Sequence, residues 1–317
     1  MLGRVAVGTY QGLTGALVTW TGRFLPLLWQ RLHQLMEECG DKFWRIGKWV
    51  PMAFDGSRVS TPRTTANEQA FCAPNYGHSR MTRYRRKKKN KGMRRPKKAN
   101  PQPVKPQIGI TLLWHMGMRM PWSWKVGPSN SSERQHLQEM LQEQEFPENT
   151  LFCGDAGFVG YDFWNSILEA GHHFVIRVGA NVRLLRQLGY VCEGDGFVCC
   201  WPDTAVRKKQ LPLVLRLVHL RAGRDDIHVV TSVLDPHELS DRQIAELYRL
   251  RWGIEVQFRT LQQTFGRHKL RSRTPNCAEL ELHWSLLGLW MIQLFAVLRF
   301  RIAHGVAQPS CGGLAAC

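Results

Sequence analysis

The order of elements along the chain predicts an α/β fold, a mixed sheet flanked by helices. Three observations carry this. Short apolar strand-like runs alternate with helical periodicity between residues 49 and 178. A β-rich stretch, about 179–235, interrupts that alternation, and a long two-sided helix follows it. The strands at 107–117 and 120–127 read as an antiparallel pair, which does not suit a purely parallel sheet, and no GxGxxG fingerprint occurs.

Each element has its own reason. Residues 17–46 repeat apolar side chains at three and four, with Pro26 near a turn boundary, and predict a helix. The run before Asp55–Gly56 turns apolar and short. Asp-Gly is a turn pair, so the strand is expected to deliver Asp55 at its C-terminal end. RYRRKKKNKGMRRPKK (83–98) holds eleven basic residues, no acid and no apolar period, so a basic loop or locally disordered arm is expected. Two strands follow at 107–117 and 120–127, then a helix at 131–144 with Ser132 as a cap. TLFCGDAGFVG (150–160) predicts a strand ending at Asp155 in a Gly-rich turn, YDFWNSILEAG a helix closed by Gly171, and 172–178 a strand. After the β-rich stretch, helices are expected from Asp241 to about Gly266 and from Ala278 to about Ala303. The last dozen residues read as a frayed tail.

Composition narrows the function. The chain has 317 residues, long enough to fold around its own core without disulfides or metals. Its 43 Lys+Arg against 25 Asp+Glu leave +18, which favours a polyanionic partner. The nine cysteines form no matched CxxC pairs and read as free thiols in a reducing compartment. Residues 1–20 lack the dense apolar core of a signal peptide. Trp284–Leu298 falls short of the roughly 20 apolar residues that cross a bilayer, so it reads as a core helix and no membrane partner is expected. Trp114, Trp122 and Trp124 sit on apolar runs and read as packing residues.

Against this basic background, isolated acids stand out. Asp55 and Asp155 each follow a strand and open a Gly-containing stretch, where open sheets place ligand groups. Read alone, each is also an ordinary turn residue. Helix 241–266 carries an apolar stripe (Leu247, Leu250, Ile254, Phe258, Leu261, Phe265) and beside it a polar one (Tyr248, Arg251, Glu255, Gln262). Arg249, Arg259 and Arg267 add positive charge. Three carboxylates suit a hard divalent cation, and neighbouring cations suit a phosphate polymer. Glu255 paired with Arg251 or Arg259 across one helical turn is the plainer alternative.

These residues resemble a known family. YRLRWGIEVQFRTLQQ (248–263) is similar to the C-terminal signature of IS4-type bacterial insertion-sequence transposases, Tyr-x2-Arg-x3-Glu-x6-Lys, through Tyr248, Arg251 and Glu255. FDGSRVSTP (54–62) and GDAGFVG (154–160) resemble the family's two Asp regions, and HFVIRVGANVRLL (173–185) and KLRSRTP (269–275) also have counterparts. The resemblance covers about residues 45–300. It implies an RNase H-like catalytic domain over 49–305, with the β-rich insertion at about 179–235 and the basic loop at 83–98. A short helical segment, 1–48, precedes it as a truncated end-binding domain, and a flexible tail, 306–317, follows.

A DDE site of Asp55, Asp155 and Glu255 is implied, holding two Mg²⁺ ions, with Mn²⁺ as a substitute. Tyr248, Arg251, Arg259, Gln262, Lys87, Lys88 and Lys89 would bind DNA. The implied activity is cleavage of double-stranded DNA at element ends and strand transfer to target DNA, by a homodimer when DNA-bound, in the bacterial cytoplasm at the nucleoid. Gln262 stands where the signature has Lys, and 54 residues precede Asp55. Those two departures motivate a second reading, a catalytically impaired DNA-binding remnant. A metal-dependent nuclease without strand transfer is a third.

Overall fold

A computed structural model describes residues 9–40, 43–72, 105–179, 184–185, 187–188, 191–192, 196–222 and 225–304. The basic run 83–98, including Lys87, Lys88 and Lys89, lies outside the described residues, as does the tail 306–317. The chain builds one eight-stranded mixed sheet with helices against it. Its first half comprises α1 (Tyr10–Gly40), β1 (Val50–Ser60), α2 (Thr65–Phe71), β2 (Gln107–His115), β3 (Met120–Pro128), α3 (Glu133–Glu143), β4 (Thr150–Gly154), α4 (Tyr161–Glu169) and β5 (His173–Val178). The β-rich stretch holds β6 (Gln187–Leu188), β7 (Val191–Cys192), β8 (Phe197–Cys200), the short α5 (Asp203–Arg207), β9 (Leu213–Ala222) and β10 (Asp225–Thr231). Three helices close the chain: α6 (Asp241–Arg251), α7 (Gly253–Arg259) and α8 (Pro275–His304).

The strand order is β3-β2-β1-β4-β5-β10-β9-β8. β1, β2 and β3 pair antiparallel, whereas β4 runs parallel to both β1 and β5. That five-strand order is the RNase H-like arrangement the resemblance implied. The β-rich insertion does not stand apart from it. β10, β9 and β8 continue the same sheet antiparallel from β5, and only the β6–β7 pair is separate.

Burial explains why the sheet needs helices on both faces. Val50–Phe54 and Thr150–Gly154 are buried at every position rather than alternately, the pattern of strands covered on both sides. α3 and α4 contact each other and lie against β1, β2 and β5, α6 lies against β4 and β9, and α8 and α1 against β3. α1 shares the core through Leu25, Leu32, Met36 and Cys39. Trp29 and Trp290 flank Trp124, with centroids 4.9 and 6.4 Å away, and the indole N–H of Trp290 points to Met36 Sδ at 3.0 Å. Trp114, Trp122 and Trp124 are all buried, as packing residues should be. Cys39, Cys72, Cys153, Cys199 and Cys200 are buried, and Cys277 is half-buried.

Several local expectations are corrected. α1 starts earlier than residue 17 and stops at Gly40; Phe43–Trp49 instead form a turn in which Gly47 takes φ +61° and Ile46 bridges Trp49. β1 does not end at Asp55. It continues to Ser60, because β2 pairs with it throughout, from Met52↔His115 to Ser60↔Gln107, and holds Asp55–Gly56 extended. The helix expected over 241–266 is divided: Trp252 separates α6 from α7, and Thr260–Thr264 widen into a π turn. By length and hydropathy Pro275–Phe300 qualifies as a membrane span, more than the 15-residue reading allowed, yet it buries Leu282, Leu286, Leu287, Trp290 and Leu294 in the protein core.

Candidate active site

The parallel register between β1 and β4 positions the first two acids. Val50 pairs with Thr150, and the ladder runs in step to Ala53↔Cys153, so each β1 residue faces the β4 residue one hundred positions later. The last registered pair, Ala53↔Cys153, stands two residues before Asp55 on β1 and two before Asp155. β4 has ended there, and Asp155 leads into the 3-10 turn Ala156–Phe158 without making a side-chain cap bond. Gly154 permits the close packing of this edge: a Cβ there would lie 2.6 Å from the Phe54 ring.

Asp55 is half-buried, and its Oδ1 accepts the Gly56 N–H at 2.8 Å. Burial pushes its carboxyl up to about 6. The Gly56 bond and Arg251 pull it down, while the charges of Glu133 and Glu255 push it further up. Asp155 lies 3.8 Å from Arg177 Nη1, beyond hydrogen-bond reach, and its buried Oδ1 has no hydrogen-bond partner.

The third acid arrives on the divided helix. Ser240 and Gln243 form a capping box that starts α6, and Ile244, Leu247 and Ile254 fasten α6 and α7 to the core. Gly253 sits on Trp114 so closely that a Cβ would approach the indole to 2.0 Å. Glu255 is half-exposed, with Oε1 3.5 Å from Arg251 Nη2. Arg251 is 3% exposed, its guanidinium carbon lies 5.5 Å from the ring centroids of both Tyr248 and Trp252, and its Nε has no partner. The buried Arg251 guanidinium thus faces the acid one turn away. Gln262 is also occupied: its Nε2 donates to Ser57 Oγ at 2.9 Å and to the Arg58 carbonyl at 3.3 Å. Tyr248 is buried and Arg259 exposed.

Asp55, Glu255 and Arg251 thus share one electrostatic neighbourhood, whereas Asp155 faces Arg177. Among the described residues, no group of three or more His, Cys, Asp or Glu closes into a cation-binding shell. The donor chemistry nevertheless fits a hard divalent cation, with carboxylate oxygens only and one Asp155 oxygen buried without a hydrogen bond. Three further residues enter that the sequence does not single out. Glu133 begins α3, Arg177 lies on β5, and Trp252 is 56% exposed. Arg177, Arg221, Tyr248, Arg249 and Trp252 line a cavity of about 460 Å³ beside Asp155, cationic and aromatic together. Arg177 lies in a segment noted by resemblance, whereas Glu133 reads in sequence as a plain first-turn acid.

Comparison with known proteins gives a consistent picture. Residues 50–291 match the family model described as the transposase DDE domain. The transposase InsG for insertion sequence element IS4, from Escherichia coli (strain K12), is 26% identical over 258 residues, 78% of this chain and 52% of that protein. A transposase-named relative from Sinorhizobium fredii (strain NBRC 101917 / NGR234) is 30% identical over 152 residues, 45% of this chain and 42% of its own. The chain spans about half the length of the curated relatives it matches. Among solved structures, a piggyBac transposase synaptic complex with hairpin DNA aligns over 84% of this chain and 51% of that one, at 10% identity and a TM-score of 0.47.

Proposed function

The chain belongs to the DDE transposase family, and from that premise we propose that it cuts DNA at the ends of an insertion sequence and joins the freed end to target DNA. The observation that supports this reading is the parallel β1–β4 pairing, whose last registered pair stands two residues before Asp55 and Asp155, while α6 with Arg251 lies against β4 and α7 with Glu255 against β1. In this reading Asp55, Asp155 and Glu255 hold Mg²⁺, for which Mn²⁺ substitutes. A bound pair of divalent ions supplies activation of the attacking oxygen and stabilisation of the leaving oxygen.

The chain's own side chains do the rest. Arg251 holds Glu255 in place and offsets the crowded negative charge. The cavity of Arg177, Arg249, Tyr248 and Trp252 receives the DNA backbone near the cleaved end, with phosphate oxygens facing guanidinium groups. The exposed Arg259 adds a backbone contact, and the basic run with Lys87, Lys88 and Lys89 adds sequence-independent affinity. Two copies acting together on paired ends, at the bacterial nucleoid, complete the proposal.

The test uses the purified chain, Mg²⁺ and duplexes carrying the inverted repeats that flank its gene. Nicking at the repeat ends is expected, and Asp55→Ala or Glu255→Ala should abolish it. Nicking that survives both substitutions overturns the assignment. Pre-cut ends offered with target DNA separate strand transfer from simple nuclease action. One observation favours the second reading, a DNA-binding remnant without catalysis: Gln262 is bound to Ser57 and Arg58 instead of standing free as a phosphate contact. Transposition of a marked element by this chain would eliminate that reading.

A further inference from the structure

Resting on the DDE reading above, we propose that Glu133 is a fourth carboxylate of the site and binds a divalent cation together with Asp55. The placement follows from how α3 begins. Ser132 caps the helix by accepting the Gln135 N–H at 3.4 Å. Arg134 donates from Nε and Nη2 to the Gly157 carbonyl at 3.1 and 2.6 Å, fastening the first turn of α3 to the turn that follows Asp155. Residue 133 is thereby turned over β1. A Cβ on Gly56 would meet Glu133 Oε1 at 2.0 Å, Cδ at 2.1 Å and Cγ at 2.6 Å, so this carboxylate fills the space that the missing side chain leaves. Gly56 directly follows Asp55.

The charge balance there is incomplete. Glu133 is half-buried, and no hydrogen bond or ion pair holds its carboxylate among the described residues. Farther along α3, Glu139 and Glu143 both reach Lys125 at 2.7 Å. Among the described residues, the cation whose charge acts on Asp55 is Arg251, 3% exposed, which approaches Glu255 and leaves its Nε without a hydrogen bond. One guanidinium cannot offset Asp55, Glu133 and Glu255 together. Oxygen-only donors beside a partly buried interior strand suit a cation of the Mg²⁺ and Mn²⁺ class.

The experiment binds Mn²⁺ alone to the full chain and follows the free aqueous ion by electron paramagnetic resonance. Glu133→Gln keeps the side-chain volume over Gly56 and should weaken Mn²⁺ about tenfold, the scale on which metal sites respond to loss of a supporting group. Its melting temperature in chelator should not fall, which separates lost binding from lost folding. Independently, Fe²⁺ with peroxide should cut the wild-type backbone near 55–57 and near 131–134, with the second set lost in Glu133→Gln. Wild-type Mn²⁺ affinity in Glu133→Gln, alongside weakened binding in Asp55→Asn, overturns the role of Glu133 and leaves the DDE reading standing. Wild-type affinity in both variants overturns the two together.

Discussion

Asp55 carries an electrostatic cost in the folded protein. Its carboxyl sits up near 6 because burial outweighs the help of the Gly56 N–H and Arg251, and two further acids oppose its ionisation. A carboxyl raised above its unfolded value of 3.8 stabilises the fold fully only below that value, and the benefit is lost as pH rises through about 6. In chelator, Asp55→Asn should therefore melt higher than wild type at pH 8, because the amide keeps the Gly56 bond without the charge. The advantage should shrink as pH falls through about 6 and vanish near 4. Melting curves at three pH values decide this, and an unchanged gap down to pH 4 would mean the charge is not the cause. Gln262 makes a complementary case. It spends its amide on Ser57 and Arg58, tying the π turn to β1, and carries no charge for DNA. Gln262→Lys should steepen the salt dependence of duplex binding by about one phosphate contact. An unchanged slope would place position 262 outside DNA contact.

At the scale of elements, the division between α6 and α7 determines where Glu255 arrives. Gly253 follows Trp252 and lies over Trp114, where even a methyl group would need the indole to move. Gly253→Ala should therefore cost about 1–3 kcal/mol, the usual result of overpacking, despite alanine's better helix propensity. A denaturant titration would show it, and a stabilised variant would mean that Trp114 yields freely. The sequence carried the helix itself, since a period of 3.6 already assigns Leu247, Ile254, Phe258 and Leu261 to its buried side. It could not carry the close approach of Gly253 to Trp114, which depends on an indole on a distant strand. Asp55–Gly56 was misread for the same reason: a turn-forming pair is held extended by the antiparallel ladder of β2, a tertiary partner that local propensity ignores. The three acids were legible as isolated carboxylates in a basic chain. Their register, the burial of Arg251 and the reach of Glu133 over Gly56 were not, because each depends on elements meeting across the fold.

Over the whole molecule, charge and architecture divide the work. The sheet places its acids where β1 runs past the end of β4, a negative site within a chain of net charge +18. A polyanion approaching that site meets repulsion unless cations elsewhere outweigh it, and the cations are unevenly distributed. Eleven of them fall in residues 83–98, with no acid among them, between Asp55 and Asp155 in sequence. Removing that stretch lowers the net charge from +18 to +7 without touching any described element. If it supplies general affinity, deletion should weaken binding to duplexes of any sequence alike. It should also flatten the salt dependence, by about 0.9 in log–log slope for each phosphate no longer neutralised. Preference for the element ends should survive, because the residues proposed to hold the cleaved end lie on β5, β9 and α6 and at Trp252. Fluorescence anisotropy with an end duplex and a scrambled duplex, each at several salt concentrations, separates these outcomes. A deletion that erases end preference while leaving the slope unchanged would make the basic run a reader of sequence instead of a counterion-releasing arm.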